Sequence, residues 1–323
     1  MNWEGKRVLV AGGTGLVGTN LIKRLLPTRV KIRATYHIRQ RDTTLPSVPP
    51  WLEWISCDLT KPEDCKLAVS AMDYVFMCAA AKAGAAVMAK DSLPLFTPNI
   101  LMHTFMTEAA YHAGINKFLF LGSSTAYPES GEHPVKEEEM FNGDPWDKYF
   151  LVGWHKRFGE KLCEIFSEKL KRRMPCIALR PTNLYGAHDD FNFETSHVTP
   201  ALIRRAVERQ DPFTVWGDGS EVRDLVYVDD LIDAMLLAMD RVDGYDPINI
   251  GLGKGYSVKE ILNTILEIED FHPKVIFDTS KPTMIPKRLV DISKAEKVLG
   301  WSPKTDLREG LKKTIKWYKE NKL

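Results

Sequence analysis

Residues Arg7 to Leu26, R-V-L-V-A-G-G-T-G-L-V-G-T-N-L-I-K-R-L-L, limit the possible folds more tightly than any other part of the chain. A short apolar run ends in glycines at Gly12, Gly15 and Gly18, and Leu16, Val17, Leu21 and Ile22 then recur at helical spacing. A strand that enters a helix through such a turn aims free backbone N–H groups and the positive helix end at an anion. Glycine lets a pyrophosphate come close to the backbone. Gly12, Thr14, Gly15, Leu16, Val17 and Gly18 are therefore candidate dinucleotide-binding residues.

The same alternation continues through the first half. Strands are expected at Val8–Val10, Val30–Ala34, Trp54–Ser56, Tyr74–Cys78, Phe118–Leu121 and Cys176–Leu179. Helices are expected at Pro62–Met72, Asn99–Ala113 and about Asp147–Lys171, and the charge-rich Glu129–Asp147 stretch reads as a loop over the sheet edge. This predicts an α/β fold with a doubly wound parallel (Rossmann) sheet over residues 1–180. Beyond Pro181 the pattern turns irregular. A helix is expected near Pro200–Arg209, a turn at Gly217-Asp218-Gly219, strands at Leu225–Val228, Pro247–Gly251 and Lys274–Phe277, and a closing helix at Leu307–Tyr318. Residues 181–323 then form a smaller C-terminal substrate-binding lobe, some segments of which return to the first sheet.

A chain of 323 residues with net charge +1, its acids and bases interspersed, offers no field for nucleic acid or a membrane surface. No apolar run reaches the ~20 residues of a membrane span, and the first five residues do not resemble a signal peptide. The five cysteines lack metal spacing and read as reduced thiols, so no metal and a cytoplasmic location are expected.

Several segments occur in one order along nearly the whole chain. They are C-A-A-A-K (Cys78–Lys82), F-L-G-S-S-T-A-Y-P (Phe120–Pro128), G-W-H-K-R-F-G-E-K-L-C-E (Gly153–Glu164) and R-P-T-N-L-Y-G-A-H-D-D-F with T-S-H-V-T-P-A-L-I-R-R (within Arg180–Arg205). V-W-G-D-G-S-E-V-R-D-L-V-Y-V-D-D (Val215–Asp230) and D-T-S-K-P (Asp278–Pro282) complete the set. Together these resemble the extended short-chain dehydrogenases that act on nucleotide sugars, and among them the GDP-L-fucose synthase branch.

The resemblance implies a serine, a tyrosine and a lysine acting on a 4-keto sugar, with the lysine lowering the tyrosine's pKa and holding the nicotinamide ribose. Ser123 matches the serine and Lys156 the lysine. Val152 stands where the tyrosine is expected, four residues before Lys156. Tyr149 lies three residues earlier, and two readings stay open for it: a substitute proton donor or a packing side chain. His155, projecting about 100° from Lys156 around the helix, reads as a surface residue. Thr125 replaces the branch's cysteine and resembles the Ser-x-Thr of simple 4-epimerases, where it hydrogen-bonds substrate. His197 matches the branch's proton-carrying histidine, and His188 is expected to order its loop.

Asn183, Arg205, Trp216, Arg223 and Lys281 match positions that grip the sugar, diphosphate and nucleotide. Ala79, Ala80, Ala81, Asp58 and Leu59 match cofactor contacts, Asp58 at the adenine. After the second strand the chain reads R-A-T-Y-H-I-R-Q-R, with no acid before Asp42 to hold a ribose 2′-hydroxyl. His37, Arg39 and Arg41 suit a 2′-phosphate, which favours NADP over NAD. The implied activity is epimerisation or reduction at C4 of a GDP-4-keto-6-deoxy sugar. The alternatives are NAD-dependent 4-epimerisation, or a nucleotide-sugar-binding protein without catalysis. Helices 99–113 and 147–171 resemble the pair through which the family dimerises; Leu101, Phe105, Phe158 and Leu162 are expected in core or interface, core first.

Overall fold

The computed structural model describes residues 1–38, 49–82, 93–281 and 283–322. Strands β1 (Arg7–Ala11), β2 (Lys31–Tyr36), β3 (Leu52–Ser56), β4 (Tyr74–Met77), β5 (Lys117–Leu121) and β6 (Cys176–Pro181) pair in parallel. With a later strand at Pro247–Ile250 they make a seven-stranded sheet, whose order runs from that strand through β6, β5, β4, β1 and β2 to β3. The run Val8–Ala11 is apolar throughout because the sheet is covered on both faces. Val8 and Val10 pack into the cluster that holds Leu21, Ile22 and Leu231, whereas Leu9 and Ala11 pack into the one that holds Met102, Met106 and Cys163.

Helices α1 (Leu16–Leu25), α2 (Pro62–Val69), α3 (Leu93–His112) and α4 (Phe150–Glu164) lie between the strands. Helix α3 begins earlier than its sequence signal, running through Pro98. The long helix expected over 147–171 is three pieces: a 3₁₀ turn at Asp147–Tyr149, α4, and a π turn at Ile165–Lys169. The expected 129–147 loop contains a 3₁₀ turn at Glu137–Phe141, and its Val135 and Met140 pack with Tyr127 and Val290 in a small core of their own.

After Pro181 the chain builds smaller units. Strand β7 (Asn183–Tyr185) pairs with β9 (Val222–Tyr227), and β8 (Phe213–Trp216) pairs with a strand at Val275–Asp278. The Pro247–Ile250 strand of the main sheet is β10. Strands β11 (Gly255–Ser257) and β13 (Lys287–Arg288) flank β9, while β12 is the Val275–Asp278 strand. Helix α5 (Val198–Val207) and the closing helix α9 (Leu307–Lys322) fall where the sequence placed them, while α6 (Val228–Arg241), α7 (Val258–Glu269) and α8 (Ser293–Leu299) were not foreseen. Ser257 and Glu260 cap the start of α7 reciprocally. All five cysteines are free. Among the described residues no helix is long and apolar enough to cross a membrane, and no side-chain cluster could hold a metal ion.

Candidate functional site

The glycine turn does two jobs. Gly12 takes φ +81°, and a Cβ there would lie 2.7 Å from the Ala79 backbone; a Cβ on Gly18 would lie 2.2 Å from the Gly12 carbonyl oxygen. These glycines let β1, β4 and α1 close on one another. Thr35 fixes the turn, accepting from Gly12 N at its hydroxyl (2.9 Å) and from Gly13 N at its carbonyl (2.8 Å). Gly15 caps α1 without a side-chain bond, so the first N–H groups of the helix stay open, and no acid sits in the first turn. Gly15, Leu16 and Val17 line a cleft of about 480 Å³; Gly12, Thr14 and Gly18, also expected at the cofactor, lie off its lining. Open helix N–H groups against an uncrowded Gly15 fit a dinucleotide pyrophosphate.

Ala79, Ala80 and Ala81 form the facing wall. Asn99, which sequence reasoning missed, clamps Ala81 by accepting from its N–H (3.0 Å) and donating to its carbonyl (2.9 Å). Asp58 accepts from the Thr60 hydroxyl (2.6 Å), which with its other neighbours, His37 among them, lowers its pKa. Asp58, buried Leu59 and exposed His37 lie off the cleft lining. Arg39 and Arg41 lie outside the described residues.

Ser123, Thr125, Lys156, Val152 and Tyr149 all line the same cleft. The Ser123 hydroxyl oxygen accepts from Thr125 N (3.2 Å) and from the Thr125 hydroxyl (2.9 Å). The Ser123 and Thr125 hydroxyls are thus paired, and the one that is not donating within the pair can donate to a ligand. Lys156 donates to the Leu121 carbonyl (2.8 Å) and lies over the Phe120 ring, and burial lowers its pKa to about 8. Tyr149 is the N-cap of α4 and not a residue within it. Burial raises the pKa of its phenol, and the nearby cations of Arg223 and Arg288 oppose that rise.

His155 is not a surface residue. It is 2% exposed, lines the cleft and packs 5.6 Å from the ring of His103 on α3. Its angular offset from Lys156 is as expected, but α3 covers that side of the helix. Burial, with Lys156 close by, lowers its pKa to about 3.

The second lobe supplies the remaining walls. His197 precedes α5 with its ring open to the cleft yet enclosed by the walls; desolvation, then the Lys82 ammonium, lower its pKa to about 4. Arg205 stacks over Phe193, and Arg223 donates to the Ile285 carbonyl at 2.7 Å. Among the described residues neither guanidinium is in a salt bridge, and burial lowers both pKa values. Asn183 and Trp216 also line the cleft, and Asn183 donates to the Asp224 carbonyl (3.1 Å). Lys281 is exposed and off the lining, although its neighbour Thr283 is on it. His188 is buried against Trp317 and takes φ +66°, in keeping with a loop-ordering role. Glu221, which the sequence reading passed over, lines the cleft beside Trp216 and Arg223.

A parallel sheet with a glycine turn at its centre, and Ser123 and Lys156 in the cleft beside it, define a short-chain-dehydrogenase-type protein. The signature of the NAD dependent epimerase/dehydratase family spans residues 8–251, and the chain belongs to that family. It is 35% identical over 332 aligned positions to a probable GDP-L-fucose synthase 1 of Oryza sativa subsp. japonica, covering 98% of this chain and 93% of that one. It is 32% identical to the GDP-L-fucose synthase of Escherichia coli K12, covering 98% and 97%. Among solved structures, the UDP-glucose 4-epimerase of Thermotoga maritima with UDP-glucose superposes with a TM-score of 0.87 at 26% identity, covering 97% of this chain and 99% of that one.

Proposed function

We propose that this chain is an NADP-dependent epimerase/reductase acting at C4 of a GDP-linked 4-keto-6-deoxy sugar. The observation that carries the reading is the single cleft that unites the open start of α1, the Ser123 hydroxyl, Lys156, His197 and the guanidiniums of Arg205 and Arg223, neither of which is in a salt bridge among the described residues. The relatives named as GDP-L-fucose synthases supply the substrate class. The turn at Gly15–Val17 and the Ala79–Ala81 wall would hold the dinucleotide, with Lys156 at its nicotinamide ribose. When bound, that cofactor supplies the hydride equivalent for C4.

The protein's own groups do the rest. Ser123 donates to the carbonyl oxygen at C4, with Thr125 holding its rotor. Tyr149 gives the proton to that oxygen, its phenol kept protonated by burial. His197 serves the neighbouring carbon or sugar hydroxyl, and its low pKa makes it a neutral imidazole until an anionic substrate arrives. Arg205, Arg223 and Asn183 grip the diphosphate and sugar, and residues from 181 onward form the substrate lobe. The apolar outer side of α3 and α4 pairs with a second copy as a homodimer.

Purified protein incubated with NADPH and a GDP-4-keto-6-deoxy sugar is expected to consume the absorbance of reduced nicotinamide. One observation favours a second reading: Val152 occupies the cleft wall where the family pattern has a phenol. Tight binding of the GDP-sugar with no turnover would select that reading, a binding protein descended from an enzyme.

A further inference from the structure

Glu221 is 9% exposed and lines the cleft, yet its Oε2 is buried with no hydrogen-bond partner among the described residues. Unpaired buried carboxylates are costly, so such a group is built to meet a donor that arrives with a ligand. The neighbourhood makes room for it. Gly217 takes φ +80°, and a Cβ there would lie 2.7 Å from Glu221 Oε1. Arg223 is close enough for its charge to be felt, but its Nη1 donates to the carbonyls of Val222 and Ile285, and among the described residues it makes no hydrogen bond to the carboxylate. Val215, Trp216, Val258 and Met284 supply an apolar surface around it. Glu221 enters the cleft from the segment just before β9, whereas Ser123 enters it just after β5 and Lys156 from α4.

We propose that Glu221 reads the nucleobase of the substrate, its two oxygens accepting from the adjacent N1–H and N2–H of a guanine; this rests on the nucleotide-sugar reading above. The match is one of donor pattern. A carboxylate beside a flat apolar wall rewards a heterocycle with two parallel donors on one edge. Uracil offers one N–H flanked by two carbonyl oxygens, which a carboxylate repels. Hypoxanthine keeps N1–H but lacks the amine. Rotation about the last Glu torsion, which is broad and nearly two-fold, aligns both oxygens with that edge. Glu221 is thus a determinant of nucleobase specificity.

The test is calorimetric titration of the full chain with GDP, inosine diphosphate and UDP, in wild type and in Glu221→Gln. Wild type is expected to bind GDP about 10- to 100-fold more tightly than inosine diphosphate, the weight of one hydrogen bond to a charged group. Glu221→Gln is expected to lose about that factor for GDP, with UDP and NADPH binding unchanged. Wild type binding all three nucleotides alike, or an unaltered GDP affinity in the variant, overturns the assignment of Glu221 while leaving the nucleotide-sugar reading intact. NADPH binding with no nucleoside diphosphate bound overturns both. Should Glu221→Gln not fold, the wild-type ratio of GDP to inosine diphosphate decides alone.

Discussion

A valine can neither give nor take a proton, and Val152 lines the cleft one helical turn before Lys156. The nearest phenol in sequence, Tyr149, lines the same cleft from the helix N-cap, and its charged neighbours are Arg223 and Arg288, not Lys156. If Tyr149 carries the proton, Tyr149→Phe lowers kcat by about 10²–10⁴-fold with little change in substrate affinity. Full activity in that variant would assign the phenol to packing. Lys156 gives a second readout. Burial brings its pKa down to about 8, so it is charged below that pH and neutral above it. If the reaction needs Lys156 as a cation at the cofactor ribose, kcat/KM for reduction should fall as pH rises through about 8. Lys156→Arg keeps the charge and should carry that limb out of the accessible range; an unmoved limb would show that another group titrates there.

Helix α4 presents two unlike sides. Val152, Lys156 and Glu160 recur every four residues on its inner side, while Phe150, Trp154 and Phe158 recur at the same interval outside. Glu160 and Arg180 form an ion pair in which each side chain is 1% exposed, and Tyr245 donates to the same carboxylate at 2.9 Å. That pair pins the helix to β6 directly behind Lys156. Removing one charge strands the other, so Glu160→Gln should cost about 3–5 kcal/mol of stability in denaturant unfolding. A loss under about 1 kcal/mol would mean water reaches Arg180.

Among the described residues the outer side of α4 has little cover. Phe150, Trp154 and Phe158 are 42%, 37% and 36% exposed; of the four residues expected in core or interface, core first, half-buried Phe105 packs against the cluster of Met102 and Met106, whereas Leu101 and Leu162 are half-buried and Phe158 is exposed. Apolar side chains occur on every side of α3, as in helices covered all round. A partner copy laid on this face would bury both helices. The double substitution Trp154→Asp and Phe158→Asp should turn a dimer into a monomer by light scattering. A wild-type monomer at micromolar concentration would contradict the pairing outright.

At the scale of the molecule, legibility followed contiguity. The glycine turn, β1 and α1 are adjacent in sequence, and their apolar run and spacing describe them completely. The strands of residues 1–180 were equally plain, because burial on both faces leaves near-continuous apolar runs. The second lobe was harder to read: its strands of two to six residues carry almost no periodicity, and only motif context located Asn183, His197 and Arg223. Environment was the least readable layer. Nothing in the sequence pattern announced that α3 buries His155, or that Glu221 Oε2 has no hydrogen-bond partner among the described residues. Cofactor choice sits at the same limit, because Arg39 and Arg41, on which the expectation of NADP rests, lie outside the described residues. The neighbouring chemistry is on hand: His37 follows β2 within electrostatic reach of Asp58, whose carboxylate is already engaged by Thr60. That leaves no free acid there for a ribose 2′-hydroxyl among the described residues, and a basic stretch beyond it suits a 2′-phosphate. NADPH should therefore bind more tightly than NADH by about 1–3 kcal/mol, the range for charge-assisted hydrogen bonds. The preference should show as a larger rise in unfolding temperature at equal ligand concentration. Substituting Arg39 and Arg41 together by alanine should erase it while NADH binding stays as it was. Equal affinities for the two cofactors in the wild-type protein would overturn the assignment and return the chain to an NAD-dependent 4-epimerase, the chemistry that the Ser123–Thr125 pair also fits.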